Sequence, residues 1–346
     1  MYTPGKYCSL ALLFLVALHC GALAQKQGID RNLFFLDENL VEVSLTTDIK
    51  NLRSGKKAPK WQPASIEMKF NDTLIIKEQI ALQPRGVTRK VICDIASLFL
   101  DFKTPASPKL SRLKKLKLVG GCRATRFDEE LLMKEFLLYK MYNQLSVMSF
   151  RVRLLEVTYN DSKQKVKPYT QKAFLIEDID EVAERNNCVE KNYQVYKAEQ
   201  TNRRQIALVS IFEYMIGNTD FSIPNRHNVK LIVPKNDTFA LPYPIPYDFD
   251  YAGLVNAPYA VPREELGISS VRDRLYRGFA RTMAEIEPLV EIFNEKKETL
   301  YAMIMNFPYM KDGAKKEIIT YLDGFYTILT SKRLIRETFV ENVRTF

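Results

Sequence analysis

The chain has 346 residues, 46% hydrophobic and 27% charged, with 51 Lys and Arg against 41 Asp and Glu and a formal net charge of +10. This composition suits one large domain or two of ordinary size and excludes a disordered, collagen-like or low-complexity protein. The positive charge favours acidic or phosphate-bearing partners, but the basic residues are spread along the chain without a nucleic-acid motif, so no nucleic-acid partner is expected.

Lys6, the apolar run Leu10 to Leu18, and Ala22 and Ala24 form a secretory signal-peptide pattern over residues 1–24. No later run is long and apolar enough to span a membrane. An exported chain, periplasmic or secreted, is expected. Cys8 and Cys20 leave with the signal. Cys93 and Cys122 belong to one predicted strand region, so they are expected to pair, leaving Cys188 free. His19 also leaves, and His227 is then the one histidine. A multi-histidine metal site is thereby excluded.

Residues 25–180 read as sheet. Alternation predicts strands at Val41 to Leu45, Ser65 to Phe70, Leu74 to Glu78, Lys90 to Ile95, Leu98 to Phe102 and Leu113 to Val119, with Asn71-Asp72 as a hairpin turn. Further strands are expected at Phe150 to Tyr159 and Lys172 to Ile176. One strong helix, Glu129 to Leu145, lies among them. Residues 181–346 read as mainly helical. Arg203 to Ile216 is apolar almost all round, which predicts a buried helix. Further helices are expected at Val271 to Gly278, Arg281 to Asn294, Lys297 to Met305 and Lys315 to Leu329. A sheet part before a larger helical part suggests a bilobal α+β architecture.

Two stretches carry chemistry. The buried helix runs into Asn218-Thr219-Asp220, and Asn225, His227 and Asn228 follow. An extended apolar piece then runs into Asp248-Phe249-Asp250. Acids at the ends of buried elements need a cation, a metal or a reacting proton. Asp220 is the candidate proton acceptor. Asn225 or Asn228, with Asp248 and Asp250, is the candidate metal set, because hard divalent cations take oxygen ligands. This division of labour belongs to phosphoryl transfer.

Glu135 shares a helix face with Leu131, Leu138, Tyr142 and Leu145, so it needs a partner. Lys117, out of phase with Leu116 and Leu118, is the candidate, with Lys115 as competitor. Arg85-Gly86-Val87-Thr88-Arg89-Lys90 is a basic turn that could approach phosphates. Asn71, Asn160 and Asn236 sit in glycosylation sequons.

From Gln83 to Tyr259 the ordered set of these motifs resembles the CotH family of atypical protein kinases. It comprises Arg85-Gly86, Lys117-Leu118-Val119, the helix of Glu135, Phe174 to Asp180, Asn218 to Asn228 and Asp248-Phe249-Asp250. The resemblance implies a bilobal protein-kinase-like fold, ATP with Mg2+ or Mn2+, and phosphorylation of protein hydroxyls. It implies that Arg85 and Lys117 hold phosphates and Glu135 holds Lys117. Asp220 would then serve catalysis, Asn228 or Asn225 the metal, and Asp248 would be the main metal ligand, assisted by Asp250. A glycine-rich loop is missing, and Asp250 stands where kinases carry Gly. The alternative reading is an inactive binding protein of the cell envelope that recognises a protein or glycan.

Overall fold

The computed structural model describes residues 32–343 apart from 55–58, 87, 96, 193–195 and 238. The signal-peptide expectation over residues 1–24 therefore lies outside the described residues. Seven strands form in the first half: β1 (Val41–Thr47), β2 (Gln62–Lys69), β3 (Ile75–Pro84), β4 (Leu98–Asp101), β5 (Lys115–Gly120), β6 (Val152–Asp161) and β7 (Tyr169–Ile176). Their period-two alternation puts Val43, Leu45, Ile66, Met68, Leu82, Leu100, Leu118 and Leu175 into one apolar interior.

The strands close into a barrel in the order β1-β2-β3-β4-β5-β7-β6. Six neighbouring pairs are antiparallel. The seam is parallel, pairing Val41 through Thr47 of β1 with Leu155 through Asp161 of β6. This closed mixed barrel overturns the expectation of a bilobal kinase-like fold with an antiparallel sheet lobe followed by a helical lobe. Turn signals report hairpins between consecutive strands. The closing pair joins strands far apart in sequence, and alternation alone does not encode that pairing.

Among the described residues four helices accompany the strands: α1 (Ile49–Ser54), α2 (Thr88–Ile92), α3 (Arg126–Leu145) and α4 (Ile179–Arg185). α3 starts earlier than expected. Thr125 caps it by accepting from the Asp128 N–H. The predicted strand at Lys90 to Ile95 is instead α2 and a turn. Val91 and Ile92 are exposed, and only Ile95 beyond the helix reaches the barrel core. The later chain gives β8 (Cys188–Glu190), α5 (Arg203–Ile216), β9 (Val229–Pro234), β10 (Tyr243–Pro246), α6 (Met283–Met305), α7 (Asp312–Leu329) and α8 (Lys332–Arg336). β8, β9 and β10 form a small sheet. Val271 to Gly278 is irregular, and the two helices expected between Arg281 and Met305 are one, α6.

A second core runs without a break from Val152, Leu154, Phe174 and Ile176 on the barrel through α3 to α5, α6 and α7. α3 is buried along most of its length because it is sandwiched between these layers. Residues on α3 can therefore meet groups from both halves. The expected Cys93–Cys122 disulfide is present, and Cys188 is buried, its thiol donating to the Asn186 carbonyl at 3.3 Å. No helix among the described residues is long and apolar enough to cross a membrane.

Candidate functional site

Backbone pairing brings the two acidic stretches together. α5 ends at Gly217, whose φ of +69° suits glycine, and a Cβ there would lie 2.1 Å from Tyr321 Oη. The Gly253 and Leu254 N–H groups donate to the Gly217 and Ile216 carbonyls, both at 3.0 Å. The chain after Asp250 is thus stitched to the end of α5, next to Asp220. The β9–β10 register pairs Val229 with Pro246. Asn228 therefore meets Tyr247, whose N–H donates to the Asn228 carbonyl at 3.0 Å.

Ser222 and His227 exchange backbone hydrogen bonds at 2.9 Å and close the loop between them. His227 Nε2 then lies 3.0 and 3.1 Å from the two Asp220 carboxylate oxygens. Asn228 Nδ2 donates to the Asp220 carbonyl at 2.8 Å and to Oδ2 at 3.1 Å. Arg263 Nη2 is 3.6 Å from Asp220 Oδ1. The Asp220 N–H donates to Asn218 Oδ1 at 3.0 Å.

Phe249 anchors the second stretch. It is buried against Tyr139 and Phe212, with ring centroids 4.8 and 5.6 Å away. The Asp248 N–H donates to Tyr139 Oη at 2.8 Å. Asp248 has a φ of +66° and Asn228 one of +54°, in the left-handed region. Each costs about 1 kcal/mol or more outside glycine, a strain that concentrates where side chains are aimed.

Asp220, Asn228, Asp248 and Asp250 line one cavity of about 240 Å³ with Arg85, Gly86, Arg89 and His227. A neighbouring cavity of about 420 Å³ shares Arg85 and Gly86 and adds Lys115, Lys117, Asp178, Lys230 and Tyr247. Asn225 is exposed and lines a different hollow with Lys191 and Arg226. Of the two candidate amides, Asn228 is the one beside the acids.

Glu135 takes a different partner from the expected one. It is 0% exposed, and its Oε2 accepts from Arg89 Nη2 at 2.6 Å. Arg89 Nε lies 3.1 Å from Asp250 Oδ2, which also accepts from Tyr259 Oη at 3.0 Å. The single guanidinium thus bridges α3 to the loop after β10. Burial pushes both carboxyls up, and Arg89 pulls them back. An arginine keeps its charge in proteins, so we take Arg89 as cationic. The cavity wall thus carries Arg85 and Arg89 against Asp220, Asp248 and Asp250. Sequence reasoning saw Arg89 only as part of a basic turn.

Lys117 points elsewhere. Its Nζ sits 3.9 Å over the Tyr247 ring. Burial, with Arg85 beside it, lowers its pKa to about 7. It is accordingly a largely neutral amine just above pH 7, ready to take a proton when an anion enters. An amine-selective acylating reagent at pH 7.5 is expected to modify Lys117 ahead of the exposed lysines, as read by peptide mass spectrometry. Modification spread evenly over all lysines would contradict this.

Glu213, on α5 beneath the Asp220 loop, is buried with the Asn218 side chain beside it. Burial pushes it up to about 8. The folded state then holds a proton that the unfolded chain releases near pH 4.5. Stability contributed by this group is lost as pH rises from about 4.5 through 8. Glu213→Gln removes that loss. The variant is expected to be more stable than the parent by about 2–4 kcal/mol at pH 8. The gap should narrow towards pH 5, as urea unfolding at both pH values would show. A pH-independent gap would contradict the assignment.

The cavity fits a divalent cation in one respect and limits it in another. Among the described residues no group of three or more His, Cys, Asp or Glu is placed to hold a metal alone. Mg2+ in phosphate sites needs only one or two carboxylates, its other positions being filled by phosphate oxygens and water. Asp248 and Asn228 both line the cavity and carry oxygen donors of that kind. Asp250 is already engaged by Arg89 and Tyr259, which makes it a support rather than a main ligand. No protein-family model matches the chain, and no curated protein matches it.

Proposed function

We propose that the protein is an exported phosphotransferase that moves a phosphoryl group from a metal-bound nucleotide, ATP with Mg2+ or Mn2+, to a protein hydroxyl. The observation that carries this reading is the convergence of Asp220, Asn228 and Asp248 in one acidic cavity whose wall includes Arg85. That cavity adjoins one containing Lys117. Arg85 and Lys117 supply positive charge for phosphates. Asp248 and Asn228 would hold the cation. The cation, when bound with the nucleotide, neutralises phosphate charge. Asp220, oriented by His227 and Asn228, accepts the proton of the acceptor hydroxyl.

The proposed kinship with the CotH family rests on the ordered motifs alone, since the fold it implied is not the one found. Export is supported by the signal pattern and by the disulfide, which suits an oxidising compartment. The test is incorporation of labelled γ-phosphate into the protein itself or an added protein mixture, with and without Mg2+ or Mn2+. Metal-dependent label supports the reading, and no label under any metal defeats it.

A second reading has one observation in its favour. Asp220 is already engaged by His227, Asn228 and Arg263. A catalytically silent protein of the envelope that binds a protein or glycan would tolerate that. It is favoured if the metal–nucleotide gives no heat of binding.

A further inference from the structure

Arg89 reaches the cavity from an excursion that the barrel itself does not require. β3 and β4 are antiparallel neighbours with Pro84 opposite Leu98. The Arg85 N–H donates to the Ser97 carbonyl at 2.7 Å. A tight hairpin turn could join strands so placed. The chain instead departs at Arg85 and returns at Ser97, and Arg85, Arg89 and Ser97 all line the smaller cavity. α2 supplies little apolar anchorage, since Val91 is 79% and Ile92 41% exposed.

The excursion is pinned at its far end. Cys93 is bonded to Cys122, 29 residues on, in the turn after β5. The Asp94 N–H donates to the Cys122 carbonyl at 3.0 Å, and the Cys93 N–H donates to the Arg89 carbonyl at 3.0 Å. The covalent link is therefore one helical turn from Arg89. Arg89 in turn is the cation that joins Glu135 on α3 to Asp250.

We propose that the Cys93–Cys122 disulfide positions Arg89 between Glu135 and Asp250, so that the acidic cavity assembles fully only in the oxidised protein. Without the link the excursion samples other positions. The two carboxyls then lose their shared partner, and Asp250 no longer fixes the loop that carries Asp248. Apparent ligand affinity falls by the fraction of molecules that remain assembled. A freshly made chain in a reducing compartment would carry the dithiol and a poorly formed site. Oxidation by a disulfide oxidant completes it: two thiols give up two electrons and two protons, and the oxidant's disulfide becomes two thiols. Arg89 acts through the carboxylates and is a positioning residue.

The ligand side of this proposal rests on the proposed function, but the positioning itself does not. The test therefore has two readouts on the full mature chain, with and without dithiothreitol, with circular dichroism to confirm retained folding. Phenylglyoxal modification of arginines, read by peptide mass spectrometry, reports on Arg89, which is 12% exposed in its side chain. Arg89 should be protected in the oxidised protein and modified about tenfold faster or more after reduction, with the exposed Arg333 on α8 as the internal reference. Re-oxidation with glutathione disulfide should restore protection. The Cys93→Ser/Cys122→Ser double variant should behave as reduced and ignore dithiothreitol. Equal Arg89 reactivity in both states overturns the proposal whether or not nucleotide binds. In parallel, Mn2+ with ATP should bind about tenfold or more weakly to the reduced protein. Equal affinity in both states overturns the proposal as well. Absence of binding in both states counts against the phosphotransferase reading, while the arginine readout still decides the positioning.

Discussion

Asp248→Ala is expected to abolish metal-dependent nucleotide binding, and Asp220→Ala to leave that binding intact while stopping transfer. The two acids share a cavity but meet different groups. Asp248 is held by its own backbone, through Tyr139 and a left-handed φ, and lines the cavity. Asp220 is held by its side chain, through His227 and Asn228. Loss of the main oxygen ligand should weaken nucleotide with Mg2+ by about 100-fold or more, a difference of about 3 kcal/mol. Loss of a general base should lower the transfer rate by about 10²–10⁴-fold. Calorimetry and label incorporation on both variants separate the effects, with thermal unfolding to confirm that each remains folded. Full activity in both variants would reject the assignment of these residues.

Arg89→Ala should be the most destabilising single change in the site. It leaves Glu135 and Asp250 buried without their shared cation, and breaking such a group costs about 3–5 kcal/mol. The sign of the pH dependence follows from the carboxyls. Burial already raises Glu135 to about 8, and Arg89 is its main opposing influence. In the variant both acids should stay protonated on folding over a wider range. The unfolded chain releases those protons near pH 4.5, so the folded variant loses stability as pH rises above that point. The deficit relative to the parent is expected to grow as pH rises through about 8, where Glu135 ionises beside Arg89 in the parent but stays protonated in the variant. Glu135→Gln combined with Arg89→Ala should recover part of it, because the amide has no charge to bury. Urea unfolding at pH 7 and pH 9.5 checks both points. A deficit independent of pH would mean that Arg89 contributes packing rather than charge.

What the sequence made legible is what neighbouring residues encode. Alternation marked most strands of the barrel. The apolar run Arg203 to Ile216 marked α5, and acids following buried elements marked Asp220, Asp248 and Asp250. The Cys93–Cys122 pair was expected and is present, although the strand expected around Cys93 is α2 and a turn. What stayed hidden depends on contacts across the molecule. The parallel β1–β6 seam leaves no local mark, so an open sheet lobe was read in place of a closed barrel. Glu135 was recognised as an acid needing a cation, but periodicity gives only the face on which a residue lies. It does not say which basic residue meets that face, and the excursion between β3 and β4 delivers Arg89 where Lys117 was expected. Asn225 and Asn228 could not be separated by spacing. The β9–β10 register separates them by setting Asn228 beside Tyr247 and leaving Asn225 at the loop tip.

Titration calorimetry of residues 25–346 with ATP, in the presence and absence of Mg2+ or Mn2+, tests the central claim most directly. Saturable binding that requires the metal and disappears in Asp248→Ala is the expected result. The absence of heat with every metal, or binding indifferent to both the metal and Asp248, would contradict it.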